Sequence, residues 1–212
     1  PKFLSVEESI SLLDAVKNDR ESKSRTRDFA IITLFLNCGL RLSELVGINI
    51  SDIRFDENML TVLGKGNKER TIYLNNACIE AINAYLPFRP VDGVKDKDRN
   101  ALFISRQKTR ISPKTVQYIV KNTLERAGMK DRELSTHKLR HTAATLMYQY
   151  GNVDVLAIKE MLGHESLSTT QIYTHIMDEQ LQKAADANPL SSVKAPKRPV
   201  FSDENEDSGK DK

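Results

Sequence analysis

The chain has 212 residues, 39% of them hydrophobic and 29% charged, with a formal net charge of +3. That length suits one domain, or one and a half, with a sizeable core, and no apolar run approaches membrane-spanning length. The opening "PKFLSVEES" lacks a signal-peptide pattern, and the pI near 8.8 points weakly to an anionic partner.

In chain order, "SVEESISLLDAVKN" begins with Ser5 and Glu8 three residues apart, a capping box ahead of helically spaced apolar residues. "RTRDFAIITLFLNCG" predicts a nearly all-apolar core helix that stops at Gly39, and "RLSELVGI" a short helix directly after it. The period then changes, and "MLTVL" and "RTIYL" around "GKGNKE" predict an antiparallel hairpin spanning about residues 59–74. "NNACIEAINAYL" returns to helix, "PFRPVDGVKDKDRN" is a surface loop, and "ALFIS" is a candidate third strand. "SPKTVQYIVKNTLERAG" has Ser112 as N-cap, Pro113 at the first helical position and Gly128 at its end. "THKLRHTAATLMYQYG", "NVDVLAIKEMLG" and "DEQLQKAADA" predict further helices. The fold expected is therefore α+β and mainly helical, with one small antiparallel sheet.

Residues 1–185 form the expected folded domain, and 186–212 an expected disordered charged tail, low in hydrophobicity beyond Pro189. From Asp186 onward five Lys or Arg stand against six Asp or Glu, so that tail is about neutral and the net positive charge belongs to the body. Cys38 and Cys78 lie in apolar helical patterns, where buried free thiols and a reducing, cytosolic compartment are expected. The start at Pro1 without methionine suggests a piece of something longer.

Basic residues cluster in "KGNKER", "SRQKTR" and "HKLRH". Each alone is an ordinary solvated face; three basic loops with polar neighbours also suit a surface that follows a phosphate backbone. Arg41 begins a short helix, an awkward place for a cation unless an anion joins it, and Glu44 one turn later is placed to hold it. Lys65 lies in a Gly-rich turn that is not a P-loop, since the strand-to-helix pattern ending in Gly-Lys-Ser/Thr is missing. Its position at a hairpin tip would let it reach into a groove as a proton donor. His137 and Arg140, three apart, share a helical face. His137 and His141 have metal-ligand spacing, but no third ligand and no "HExxH" glutamate accompany them, so no metal is expected. His164 follows a glycine nine residues before Tyr173, near enough to fold back on it. Tyr173 alone reads as a half-buried aromatic with a satisfied hydroxyl.

Together, "CGLRLSEL", "GKGNKER", "HKLRH" and "LGHESLSTTQIYTH", in that order, closely resemble the catalytic domain of tyrosine site-specific recombinases, the phage-integrase-like family, particularly its bacterial Xer type. The resemblance covers roughly residues 3–185. It implies Arg41, Lys65, His137, Arg140 and His164 as the catalytic set, with Tyr173 as nucleophile. It also implies an N-terminal core-binding domain, which is expected to be absent from this chain.

The implied reaction explains the residue types. Arg41 and Arg140 would each give forked hydrogen bonds to the non-bridging oxygens of a phosphodiester, where a lysine could not fork. Tyr173 ionises near pH ~10 in isolation, so it would lose its proton during attack, with His137 as general base. Lys65 would protonate the departing 5′-oxygen, and His164 would bind the phosphate or orient the tyrosine. The 3′-phosphotyrosyl ester conserves bond energy, so rejoining would need neither ATP, metal nor other cofactor. Integration or recombination of DNA is implied, chromosome dimer resolution among the possible tasks. A type IB topoisomerase shares this chemistry but religates the same strand, and a non-catalytic DNA-binding module is the remaining alternative.

Double-stranded DNA is the expected partner, held mainly through phosphates. Lys68, Arg70, Arg106, Lys108, Arg110, Lys114 and Gln117 are the expected contacts. The segment after Tyr173 resembles the helix that family members pass to a neighbour, implying a homotetramer or heterotetramer on DNA. Leu181, Ala184 and Ala185, expected to be exposed on one helical face, would mediate it. No membrane association is expected, and a bacterial, nucleoid-associated, cytoplasmic setting is.

Overall fold

The structure, a computed structural model, describes residues 3–151, 154, 156–158 and 181–196, and of Lys65 the backbone. Helix α1 (Val6–Lys17) starts with the capping box anticipated from sequence: Ser5 Oγ accepts from the Glu8 N–H, and Glu8 Oε2 accepts from the Ser5 N–H. Helix α2 (Arg25–Cys38) is buried on nearly every side, because α1, α4 (Asn76–Tyr85), α5 (Pro113–Arg126) and α6 (Thr136–Tyr150) all pack against it. An apolar sequence without a polar face is stable only in such a central position. Phe29 and Phe35 are fully enclosed there, each burial contributing about 1.5–3 kcal/mol.

Between α2 and α4 lie the short helix α3 (Leu42–Gly47) and a three-stranded antiparallel sheet ordered β1 (Ile53–Arg54), β2 (Met59–Leu63), β3 (Glu69–Tyr73). The hairpin register pairs Met59 with Tyr73 and Val62 with Arg70. Its turn closes through the Gly64 N–H donating to the Lys68 carbonyl at 2.7 Å, and Gly66 takes φ 74°, a value that glycine adopts without penalty.

Two expectations need correction. The third strand is Ile53–Arg54, not "ALFIS", which forms only isolated bridges, Asn49 with Ala101 and Ile104 with Arg110. Two of its carbonyls, those of Ala101 and Leu102, are taken by the Arg89 side chain, and that of Ile104 by Arg27, in place of a strand ladder. The chain also remains ordered past residue 185. Pro189–Ser192 forms a helical turn, Leu190 is completely buried in the main core, and Asn188 donates from Nδ2 to the Leu36 carbonyl at 3.0 Å. The rest of the expected tail, 197–212, lies outside the described residues.

The helical segment 181–186 packs on its own chain. Leu181 and Ala184 join Ala143, Ala144, Met147, Ala157 and Ile158 in a second apolar cluster against α6. The Ala185 carbonyl accepts from Asn75 Nδ2 at 2.8 Å. The face expected to be exposed is therefore covered within the described chain, because α6 presents small residues that admit a close approach. No helix among the described residues is long and apolar enough to cross a membrane.

Candidate active site

The site begins where α2 ends. Gly39 adopts φ 60°, ψ 37°, the left-handed conformation that stops a helix and turns the chain, and the buried Leu40 anchors the turn in the core. Arg41 then stands as N-cap of α3 with extended backbone. Its N–H donates to Glu44 Oε2 at 2.7 Å, and its Nη1 donates to Glu44 Oε1 at 2.9 Å. Glu44 thus holds Arg41, as its place one turn along suggests, through both backbone and guanidinium.

The Glu44 side chain is wholly buried. A second guanidinium reaches it from β3: Arg70 donates from Nε to Oε1 at 3.0 Å and from Nη2 to Oε2 at 2.8 Å, a forked pair. A third comes from α6, where Arg140 Nη1 lies 3.9 Å from Glu44 Oε2 and donates to the Gly39 carbonyl at 2.6 Å. Among the described residues, three guanidiniums from three elements surround this one carboxylate.

Proton affinities follow this arrangement. Burial works to raise the pKa of Glu44, but the hydrogen bonds and charge of Arg70, with the bonds from Arg41, outweigh it and hold the carboxyl below its ordinary 4.5. Arg140 is pulled down from 12.5 to about 10, by burial first and then by repulsion from Arg41 and Arg70, which Glu44 only partly offsets. Arg140 stays charged at neutral pH, and a phosphodiester is an anion of the kind that would relieve its repulsion.

The hairpin comes up beside this cluster. A Cβ placed on Gly64 would sit 3.8 Å from both Arg41 Nη1 and Glu44 Oε1, so the backbone leading into Lys65 runs over the Arg41–Glu44 pair. His137 is exposed in the first turn of α6, three residues before the buried Arg140. The ring of His141 meets Phe3 edge-on, with centroids 6.1 Å apart. His164 and Tyr173 lie outside the described residues. Among the described residues, no group of three or more His, Cys, Asp or Glu has metal-site geometry.

The residues expected at DNA divide by environment. Lys68, Arg106, Lys108, Lys114 and Gln117 are exposed. Arg106 Nε approaches Ser24 Oγ at 3.5 Å, and Lys108 Nζ donates to the Asp92 carbonyl at 2.8 Å. Arg110 is engaged within the fold, donating to the Val46 and Ile48 carbonyls and to Asn49 Oδ1. Arg70 belongs to the guanidinium cluster. Its strand position carried the signal: with Ile72 it occupies the inward face of β3, between the exposed Glu69 and Thr71. An inward arginine requires a buried acid, and Glu44 is that acid.

The model of the phage integrase family matches residues 2–180. The chain is 58% identical over 191 residues to the tyrosine recombinase XerC of Caldanaerobacter subterraneus subsp. tengcongensis, covering 90% of this chain and 52% of that protein. Among solved structures it is similar to XerA recombinase at 31% identity and TM-score 0.66, covering 86% of this chain and 63% of that one. It is also similar to XerH recombinase bound to its difH substrate before cleavage, at 29% identity and TM-score 0.68, covering 85% and 52%. The chain therefore spans between about half and two thirds of the length of these relatives.

Proposed function

The chain belongs to the phage integrase family, and from that premise we propose that it is the catalytic domain of a site-specific tyrosine recombinase acting on double-stranded DNA. One observation carries the reading: Arg41 and Arg140, far apart in sequence and on different elements, converge at the buried carboxylate of Glu44.

In the proposed reaction, the guanidiniums of Arg41 and Arg140 bind the non-bridging oxygens of the scissile phosphate and stabilise the charge that accumulates at phosphorus. Tyr173 attacks phosphorus and its phenolic proton passes to His137. The bond to the 5′-oxygen breaks, and Lys65 delivers a proton to that oxygen. The products are a 3′-phosphotyrosyl ester and a free 5′-hydroxyl, and a partner strand's hydroxyl reverses the step. His164 orients the phosphate or the tyrosine. Because bond energy is conserved, the scheme uses neither ATP nor metal.

The DNA-facing surface in this reading comprises Lys68, Arg106, Lys108, Lys114 and Gln117. Lys114 and Gln117 share with Tyr118 and Lys121 the exposed face of α5, opposite the buried Val116, Ile119 and Val120. Arg70 and Arg110 act inside the protein. Assembly into a homotetramer or heterotetramer would release segment 181–186 from α6, since its apolar face is occupied within one chain. Work on a bacterial chromosome or integrated element would place the protein at the nucleoid.

The test is incubation with a nicked suicide substrate carrying candidate sites. A covalent adduct should form at Tyr173 and disappear in Tyr173→Phe while DNA affinity persists. Trapping of DNA by the phenylalanine variant would overturn the assignment.

A further inference from the structure

Glu44 offers about four lone-pair positions on its two oxygens, and the structure fills them in a defined way. Oε1 accepts from Arg41 Nη1 and Arg70 Nε; Oε2 accepts from the Arg41 N–H and Arg70 Nη2. Arg140 stands outside this set at 3.9 Å, beyond hydrogen-bond reach, and its Nη1 is directed to the Gly39 carbonyl instead. Half of the carboxylate's capacity is thus used by a residue with no part in the proposed chemistry. We propose that Arg70 is a positioning residue for strand cleavage: by saturating Glu44 it keeps Arg140 from collapsing onto the carboxylate and holds it at the Gly39 carbonyl, in position for the scissile phosphate.

The inference rests on the recombinase reading above and adds a residue that acts through another. Arg70 suits the task for two reasons. Its fork takes both oxygens at once, which an ammonium cannot do. It is also fixed by strand pairing, opposite Val62, with a side chain only 13% exposed. Without it, a buried carboxylate with two open acceptor positions would draw in the nearest cation. Arg140 would need to move only about 1 Å to make a bond of ordinary length. The Arg70 contribution to lowering the pKa of Glu44 exceeds that of Arg41, in keeping with its role as the principal counter-charge.

The experiment compares single-turnover cleavage of the nicked substrate at saturating DNA with the DNA dissociation constant across a salt series. The proteins are wild type, Arg70→Met, Arg70→Lys, Glu44→Gln and the Glu44→Gln/Arg70→Met pair. Arg70→Met should slow cleavage by roughly 10²-fold, in the range of a lost preorganised donor, with the dissociation constant and its salt slope unchanged. Arg70→Lys, able to hold one oxygen, should recover part of the rate. Adding Arg70→Met to Glu44→Gln should slow cleavage far less than it does in wild type, because a neutral amide attracts Arg140 weakly. The double variant also removes both charges together, so it remains informative if Arg70→Met alone folds poorly. A salt slope reduced by about one would overturn the proposal in favour of a direct phosphate contact. Normal cleavage by folded Arg70→Met, or equal losses in both backgrounds, would overturn it in favour of a purely structural arginine. Absence of any adduct from wild type would instead overturn the recombinase reading, and this inference with it.

Discussion

Arg140 donates to the carbonyl of Gly39 at 2.6 Å, joining the first turns of α6 to the end of α2. That carbonyl points where it does because Gly39 sits at φ 60°, and the same turn delivers Arg41 two residues later to the same place. One left-handed residue therefore aims both arginines. Gly39→Ala should destabilise the protein by roughly 1–2 kcal/mol, the penalty for a Cβ in that conformation. It should also slow cleavage at least tenfold, because the acceptor of Arg140 shifts. Urea midpoints at unchanged m-value and single-turnover rates check the two effects separately.

The charge on Glu44 makes stability depend on acid. Its carboxyl is held below 4.5 in the folded chain and returns to its ordinary value on unfolding. Its contribution is therefore fully present above about pH 4.5 and is withdrawn as pH falls through the lower folded value. Glu44→Gln never has that contribution. The gap in urea midpoint between wild type and Glu44→Gln should be constant above about pH 5 and narrow progressively below 4.5. A gap that widens with acid would contradict the ion-pair assignment.

Substituting lysine at position 140 tests the electrostatics differently. The surroundings lower the Arg140 pKa from 12.5 to about 10, which leaves it cationic throughout the neutral range. A lysine, ordinarily near 10.4, would be drawn down by the same burial and repulsion, toward the range in which it loses its proton. Arg140→Lys should cleave more slowly at every pH, since an ammonium cannot fork, and its residual rate should fall further as pH rises, because the lowered lysine loses its charge. Wild type should show no such loss from this group. Cleavage rates from about pH 6.5 to 9 decide it.

The helices were legible in the sequence because their signals are local. The Ser5–Glu8 capping box, the stop at Gly39 and the Ser112–Pro113 start all depend on residues within a turn of one another. The hairpin was legible for the same reason. The third strand was not: "ALFIS" has strand composition, but Arg89, twelve and thirteen residues away, takes the Ala101 and Leu102 carbonyls that a neighbouring strand would need. In the site, Arg41 with Glu44 could be anticipated from their i, i+3 spacing; strand alternation marks Arg70 as inward, but not which acid it meets, since 26 residues and a strand pairing separate it from Glu44. Segment 181–193 was misjudged because apolar spacing identifies a buried face without saying what buries it. Leu181 meets α6 and Leu190 meets the main core of its own chain.

That covered segment supports a prediction about assembly. Leu190 is completely buried, so Leu190→Ala should destabilise the protein by about 2–5 kcal/mol, the usual result of a large-to-small change in a core. Whether the segment lies on its own chain or on a neighbour's in solution then follows from mass action. A segment docked within one chain gives an unfolding midpoint independent of protein concentration, while an exchanged segment gives one that rises with it. The packing on α6 and the Asn75–Ala185 hydrogen bond favour the first for the DNA-free protein. Thermal unfolding over a hundredfold range of concentration, for wild type and Leu190→Ala, should give superimposable midpoints within each protein. Midpoints that climb with concentration would mean that the segment is already exchanged between chains before DNA is bound.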